Sequence, residues 1–433
     1  MDRRTLTDLL TRLAAVHSVP GAQLAVRWRG EVITAEIGVE TSGTSRVVTA
    51  GSAFPVGSLT KPFTATAAMM LVADGDLELD EPIGEYLREV RGTATGQVTL
   101  RGLLSHTAGL AANVDELPTG TTRRRWAGTR AGHAVAHQPG TAFSYANTGY
   151  LLAGLLVEEV TGMGWREAVQ SMVLRPLDIK PSFVLGPVAR GPITGHAVLR
   201  DGTVVPVAAQ TVTALEEPVA ALAASATDLV RFAEAHLPSH PGPGLLDPGR
   251  AKDMRRDVTA GLAAGPFGLA DGWGAGWSLY RSSGPEWFGH DGTGDGAWSH
   301  LRVEPDSGTV VALLTNANTG VDVWEALVAE LGIEIGHHSM SHLVDPGDPV
   351  AGPTDAVGRY TNGSESYTVT ADAGRLHLAA DAEPSAELTC YDSDQFTTTA
   401  RTGALPLLGR FLRHPGTGEI HSLQVTGRLA RRT

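Results

Sequence analysis

The chain has 433 residues, 42% of them apolar and 19% charged, and carries a net charge of −13. That composition describes a folded globular protein with room for one large domain and a smaller one. The acidic balance, broken only by Arg123-Arg124-Arg125, excludes a basic nucleic-acid face, and no apolar stretch is long enough to span a bilayer.

At the start of the chain Leu6, Leu9, Leu10 and Leu13 recur at helical spacing, while Asp8 and Arg12 interrupt what would otherwise resemble an export signal. This reads as an amphipathic surface helix. With a single cysteine, Cys390, it sets the expectation of a cytoplasmic protein without an internal disulfide. Next, "GAQLAVRWRGEVITAEIGV" predicts a β-hairpin turning near Arg29-Gly30. A helical pattern over residues 60–74 ends at the breaker Asp74-Gly75. Over residues 101–177 helical patterns alternate with loops. One of these, "AANVDELPTGTTRRRWAG", is long and polar, so a lid or substrate rim is expected there. "WSHLRVEPDSGTVVALLTNA" predicts a second hairpin, turning over residues 305–308, with a helix to follow over 321–331. Strands at both ends with helices between them predict an α+β domain whose antiparallel sheet is closed by the two ends of the region.

The composition changes near Ser339. "DPGDPVAGPTDAVG" is rich in proline and glycine, and the expected division is a first domain over 1–338, a linker over 339–354 and a second domain over 355–433. In the last of these, "ESYTVTA", "GRLHLAA", "AELTCYD", "QFTTTAR", "RFLRHP" and "IHSLQVTG" alternate between breaks, which predicts an all-β sandwich or barrel.

Three short stretches suggest chemistry. "PVGSLTKPFT" holds one of only three lysines among 34 basic side chains. If a helix begins near Ser58, Ser58 and Lys61 share a face, and Pro62 restricts the pair to the first turn. The helix dipole and partial burial both disfavour an ammonium there, so a lysine can become the neutral amine that takes a serine proton. An arginine cannot. Ser-x-x-Lys alone also reads as a capping serine before an exposed lysine. In "PGTAFSYANTGYLLAGLLVEEV", Tyr145 and Asn147 sit in a polar turn before a helix starting near Thr148, where they could relay a proton and orient a carbonyl. A packing tyrosine and a capping asparagine fit the same turn. In "EWFGHDGTGDGAWSH", His290-Asp291-Gly292 falls on or beside the strand preceding the last hairpin, among glycines that let a backbone approach a ligand. His290 offers a proton carrier, or else a solvated loop histidine.

In this order, Ser58-x-x-Lys61, Tyr145-x-Asn147 and His290-x-Gly292 resemble the motifs of the serine β-lactamase and penicillin-binding-protein superfamily. "LRGLLSHTAGL" and "PGTAFSYANTGY" look like its class C branch. The resemblance covers roughly residues 10–335 and implies a β-lactamase/transpeptidase-like domain, an antiparallel sheet flanked by helices with a helical subdomain. The chain departs from many members in carrying His290-Asp291 where they have lysine and threonine.

The resemblance implies acyl transfer through an ester on Ser58. Lys61 and Tyr145 would carry the proton with support from His290. Backbone N–H groups of Ser58 and Thr293, the residue after Gly292, would form the oxyanion hole, and Asn147 would hold the acyl amide. It implies no cofactor and no metal, and His337, His338 and His342 read as solvated linker residues. The domain order, with a lipocalin-like β domain at the end, resembles the penicillin-binding-protein-type thioesterases that cyclise nonribosomal peptides. Their kinship with D-alanyl peptidases implies a peptidyl thioester with a D-configured C-terminal residue, presented by a carrier protein, and no nucleic-acid partner. Residues 117–126 and Trp273, Trp277, Trp287 and Trp298 are candidates for the acyl pocket's walls, though core packing suits some of them. The alternatives are a cytoplasmic esterase, D-aminopeptidase or β-lactamase of the same superfamily, and, in another class, a non-catalytic binder or sensor.

Overall fold

The first hairpin seeds the main sheet. Gly21–Trp28 and Glu31–Gly38 pair antiparallel through Arg29 and Gly30, which both take positive φ (52° and 85°), the turn geometry that matches the twist of the flanking strands. The computed structural model describes residues 2–433 except 115–117, 119, 186–191, 208–211, 239–243, 282–283, 332–346, 381–384 and 399–406. It divides into two compact units: Met1–Leu79, Ala153–Arg256 and Gly274–Gly336 form the first, and Asp80–Leu152, Asp257–Trp273 and His337–Thr433 the second.

In the first unit the sheet runs in the order Glu31–Gly38, Gly21–Trp28, Thr309–Thr315, Ala297–Glu304, Glu286–Gly294, Ser278–Arg281, with every neighbour antiparallel. The first strand therefore lies beside the last, Ala22 opposite Thr315, as the α+β reading expects. The second hairpin turns between Glu304 and Thr309. The strand Thr309–Thr315 is buried along its whole length, as an interior strand covered on both faces must be. Helices cover the faces. Arg3–Val16 buries Leu6, Leu10 and Leu13, and Gly320–Leu331 buries Val323, Trp324 and Leu327, each a stripe at helical spacing. Thr60–Asp74 is different: twelve of its fifteen residues are buried, the pattern of a helix enclosed on all sides. It stops where Gly75 takes a left-handed φ of 81°.

In the second unit, short helices such as Leu100–Leu104 and Arg123–Thr129 accompany a closed barrel. Its strands are Gly358–Asn362, Glu365–Asp372, Arg375–Ala380, Ala386–Tyr391, Gln395–Thr398, Leu408–Arg413, Ile420–Val425 and Arg428–Arg432. Each pairs with the next, and Tyr360 opposite Arg432 closes the ring, so no strand edge is left open. Tyr360, Val369, Leu378, Phe396, Phe411 and Leu423 fill the interior. The barrel is the lipocalin-like β domain expected at the end of the chain. Six of its strands fall on the alternating runs, whereas "GRYTN" and "RLARR" were not singled out. Within the expected linker, residues 339–346 lie outside the described residues, and Val350 already pairs with Cys390 of the barrel. Among the described residues no helix is long and apolar enough to cross a membrane.

Candidate active site

A tight turn carries Ser58. Gly57–Leu59 forms one turn of 3-10 helix that runs directly into Thr60–Asp74, with Pro62 in the first helical turn as required. Residues three apart then share a face. Lys61 Nζ donates to Ser58 Oγ at 2.8 Å and to the Val219 carbonyl at 3.4 Å. Ser58 is half-buried, and Lys61 is fully buried. The exposed-lysine alternative is thus replaced by an amine held out of water against a hydroxyl.

The strand Glu286–Gly294 lies against this turn. A Cβ on Gly57, whose φ is +51°, would stand 2.0 Å from the Thr293 carbonyl oxygen, and one on Gly292 would stand 1.9 Å from that of Val56. Only glycines permit two backbones to come this close. Ser299, on the next strand, donates its hydroxyl to the Val56 carbonyl at 2.8 Å and so fastens the turn to the sheet. The backbones bearing the two expected oxyanion donors, Ser58 and Thr293, are therefore in contact.

His290 lies on this strand, where the charge of Lys61 reaches it. Its ring is buried, with Nδ1 2.6 Å from the Asp291 carbonyl oxygen. A carbonyl only accepts, so Nδ1 carries the hydrogen and Nε2 is the basic nitrogen. Burial, and after it the positive charge of Lys61, lower the His290 pKa to about 3, which keeps the ring neutral. Asp291, the next residue along the strand, has a separate role. Its carboxylate accepts from both Nη atoms of Arg302, at 2.6 and 2.8 Å, and from His300 Nδ1 at 2.8 Å. Burial alone would raise the Asp291 pKa, but Arg302 and then His300 hold it well below the usual carboxylate range. Arg302 is itself fully buried and lies over the rings of Tyr280 (4.3 Å) and Trp324 (5.3 Å). Neither His300 nor Arg302 was singled out by the sequence, where they read only as polar residues of a hairpin strand.

Tyr145 and Asn147 stand together in the second unit. The Tyr145 ring stacks on His106 at 4.2 Å between centroids, and Trp273 packs edge-on at 5.9 Å. His106 Nδ1 accepts the Ala146 N–H at 3.0 Å, and its carbonyl accepts that of Ser144 at 2.9 Å. A backbone N–H can only donate, so Nδ1 is the unprotonated nitrogen. His106 lies in "LLSHTAGL" and takes a φ of +58°, yet nothing but its place in that segment marked it. Asn147 opens the helix Asn147–Thr161. Its N–H donates to the Ala112 carbonyl and its Nδ2 to Asn113 Oδ1, both at 2.7 Å.

Beside this turn is a cavity of about 490 Å³, lined in part by Asn113, Trp126, Arg130, His133, Thr148 and Gly363, which falls in the size range of small-molecule pockets. The stretch expected as a polar lid is in part a helix: Thr122 caps Arg123–Thr129 by accepting the Arg125 N–H, and Trp126 is buried. Residues 115–117 and 119 of it lie outside the described residues. Of the four tryptophans named as pocket walls, Trp273 meets Tyr145. Trp277 packs in the first unit's core against Phe232, His236 and Phe288, Trp287 is buried, and Trp298 stacks on His300. Among the described residues no three histidine, cysteine or carboxylate side chains gather as metal ligands would, and His337, His338 and His342 lie outside them.

The first unit thus assembles Ser58, Lys61, His290, Gly292 and Thr293, and the second assembles Tyr145 and Asn147. The model of the beta-lactamase family matches residues 6–331. Penicillin-binding protein 4 of Amycolatopsis lactamdurans is 35% identical over 350 residues, which are 77% of this chain and 90% of that protein. Crystal structures of SurE, and of SurE with D-Leu, cover 100% of this chain and 99% of theirs, at 37% and 36% identity and TM-scores of 0.87 and 0.85. With Ser-x-x-Lys, Tyr-x-Asn and His-x-Gly in the expected order, the chain belongs to the beta-lactamase family of serine hydrolases, within the serine β-lactamase and penicillin-binding-protein superfamily.

Proposed function

We propose that this chain is a serine acyltransferase of the thioesterase type. It takes a peptidyl thioester with a D-configured C-terminal residue onto Ser58 and releases it by attack of the peptide's own amine, or of water. The observation that carries this reading is the buried Lys61 amine 2.8 Å from Ser58 Oγ, the pairing of nucleophile and base that covalent catalysis needs. In acylation Ser58 Oγ bonds to the thioester carbonyl carbon and passes its proton to Lys61. The C–S bond then breaks, and the thiol leaves with that proton. In release the amine nitrogen attacks the ester carbon, the C–Oγ bond breaks, and the amine's proton returns to Ser58. Motif order assigns Tyr145 to share the proton and Asn147 to hold the acyl amide. His290, held neutral with a pKa of about 3, can accept a hydrogen bond at Nε2 but neither takes up a proton near neutral pH nor supplies a standing positive charge. That distinguishes it from the lysine many family members carry at its position and weakens any reading that needs a cation for a free substrate carboxylate.

Two further points support the choice of acyl group. SurE, which matches over the full chain with its barrel included, has been solved with D-Leu. The lipocalin-like barrel follows the catalytic region as in the penicillin-binding-protein-type thioesterases. The test offers a peptidyl thioester with a free amino terminus and a C-terminal D-residue, then identifies the products by mass. Cyclic peptide supports cyclisation and linear acid supports hydrolysis. Rejection of the thioester alongside turnover of a β-lactam, or failure to acylate Ser58 at all, would overturn the proposal.

A further inference from the structure

Two buried threonines of the helix Thr60–Asp74 direct their hydroxyls differently, and the difference bears on Lys61. Thr66 returns its hydrogen to the carbonyl four residues back, donating to Pro62 at 2.8 Å, the ordinary habit of a hydroxyl inside a helix. Thr64 instead donates out of its helix to the Pro218 carbonyl at 2.8 Å. A second contact fixes that direction. Nε1 of the fully buried Trp165 stands 3.0 Å from the same hydroxyl oxygen, and an indole N–H can only donate. Thr64 Oγ1 therefore accepts from Trp165 and gives its one hydrogen to Pro218, whose carbonyl can only accept.

Pro218 and Val219 belong to the short helix Glu217–Ala220, and the Val219 carbonyl is the one that Lys61 Nζ meets at 3.4 Å. Other contacts hold this segment in place. A Cβ on Gly154 would stand 2.2 Å from Pro218 Cγ, so the proline ring lies directly on that glycine. Arg166, next to Trp165, pairs with Glu217 at 2.8 Å. The Leu222 N–H donates to Thr60 Oγ1 at 3.1 Å. Among the hydrogen bonds named here, the one from Thr64 falls on the peptide plane that leads into Val219.

The consequence for Lys61 follows from donor and acceptor types. A neutral amine has two hydrogens and one lone pair, and it can take the Ser58 proton only when the lone pair faces Ser58 Oγ. A carbonyl cannot donate to a lone pair. The Val219 oxygen therefore binds one of the hydrogens and leaves the lone pair for the hydroxyl.

We infer that Thr64 is a positioning residue for Lys61. Locked by Trp165, it sets the Pro218–Val219 backbone so that the Val219 carbonyl binds an amine hydrogen and turns the lone pair toward Ser58. This rests on the acyl-transfer reading above for the identity of the base, and it adds two residues, Thr64 and Trp165, that lie outside the three sequence motifs.

Thr64→Val tests it, because valine keeps the shape and removes the hydroxyl. The rate constant for acylation of Ser58 by the peptidyl thioester should fall about tenfold, the worth of one neutral hydrogen bond. The substrate concentration giving half the maximal rate should stay the same, since the change acts on the base and not on binding. Thr64→Ser restores the hydroxyl and should recover most of the rate. Thr66→Val removes a buried hydroxyl with two partners, Pro62 and His236, from the same helix. It should lower the urea midpoint about as far as Thr64→Val while acylating at the wild-type rate. Should Thr64→Val not fold, Trp165→Phe, which removes the donor that orients Thr64, carries the same test and the same expected slowing. A fluorophosphonate, which labels an activated serine whatever its acyl preference, repeats the comparison without the thioester. Equal rates for Thr64→Val and the wild type, equal slowing in Thr66→Val, or no recovery in Thr64→Ser would overturn the inference. A wild type labelled on Ser58 by the fluorophosphonate but not acylated by the thioester overturns the substrate reading alone, and the fluorophosphonate rates then decide the part of Thr64. Labelling by neither probe overturns both.

Discussion

Lys61 Nζ sits 2.8 Å from Ser58 Oγ with its entire side chain out of water. If its part is to accept the serine proton, an arginine in its place fails for chemical and not steric reasons, because a guanidinium does not deprotonate in a protein. Lys61→Arg and Lys61→Met, the second preserving most of the packing volume, should both lower the rate of acylation of Ser58 by about 10²–10⁴-fold. Time-resolved mass spectrometry of the acyl-enzyme measures this, with Ser58→Ala as the blank that takes up no label. Lys61→Arg acylating within a factor of ten of the wild type would rule out the proton-acceptor role.

Gly57 and Gly75 separate backbone strain from close approach. Both take positive φ, at 51° and 81°. An added Cβ at Gly75 meets nothing within 4 Å, whereas at Gly57 it would stand 2.0 Å from the Thr293 carbonyl oxygen. Gly75→Ala should cost only the left-handed strain of about 1–2 kcal/mol and leave acylation unaltered. Gly57→Ala must push apart the Ser58 turn and the Thr293 strand, and should lower acylation by about 10²–10³-fold, the effect of losing one oxyanion donor. Urea midpoints and acylation rates of the two variants check this. Equal acylation in both would mean that the Gly57–Thr293 contact is dispensable.

What the sequence revealed and what it hid follow from the range of the interactions. Turn chemistry is local, so Arg29-Gly30 and residues 305–308 marked both hairpins. The Ser58–Lys61 pair is local too, being one helical turn. Arg302 was not legible: alternation in "SHLRVE" shows which residues share a face, but not that an inward arginine meets Asp291 on the neighbouring strand. The barrel's first and last strands were missed because "GRYTN" and "RLARR" are short and polar, and only ring closure, Tyr360 beside Arg432, makes them strands. The same holds for Thr64 and Trp165, 101 residues apart. In the supposed lid, three consecutive arginines hid a helix whose one strong signal was the capping Thr122.

Buried Arg302 and half-buried Asp291 form a bidentate ion pair, and the cost of breaking it depends on which charge is left behind. Arg302→Met leaves the half-buried Asp291 carboxylate without its main partner and should destabilise the protein by about 1–3 kcal/mol. Replacing both, as in Arg302→Met with Asp291→Leu, removes the stranded charge and should restore part of that loss. Chemical denaturation of the two single variants and the double variant gives the coupling. Strict additivity would show that the pair is not energetically linked.

Acid should unfold this protein through its buried histidines. Burial lowers the pKa of His290 and His236 to about 3 and that of His137 to about 4. The charge of Lys61 also lowers His290, and Arg255 lowers His236. In the unfolded chain each of these rings binds a proton below about pH 6.5. Between there and its folded pKa, the unfolded state holds one proton more than the native state, so stability falls as the pH falls. Each ring contributes about 1.4 kcal/mol per pH unit over that window. His236→Phe tests one ring by itself: His236 packs against Phe232 and Trp277, and a single hydrogen bond, to Thr66 Oγ1 at 3.1 Å, is given up. Urea denaturation from pH 7 to pH 4 should give a curve for the variant that is shallower by about one proton. A slope equal to the wild type's would mean that His236 already carries its proton in the folded state. The same neutrality means that His290 adds no titration step to the acylation rate between pH 5 and pH 8, so any acid limb in that range belongs to another group.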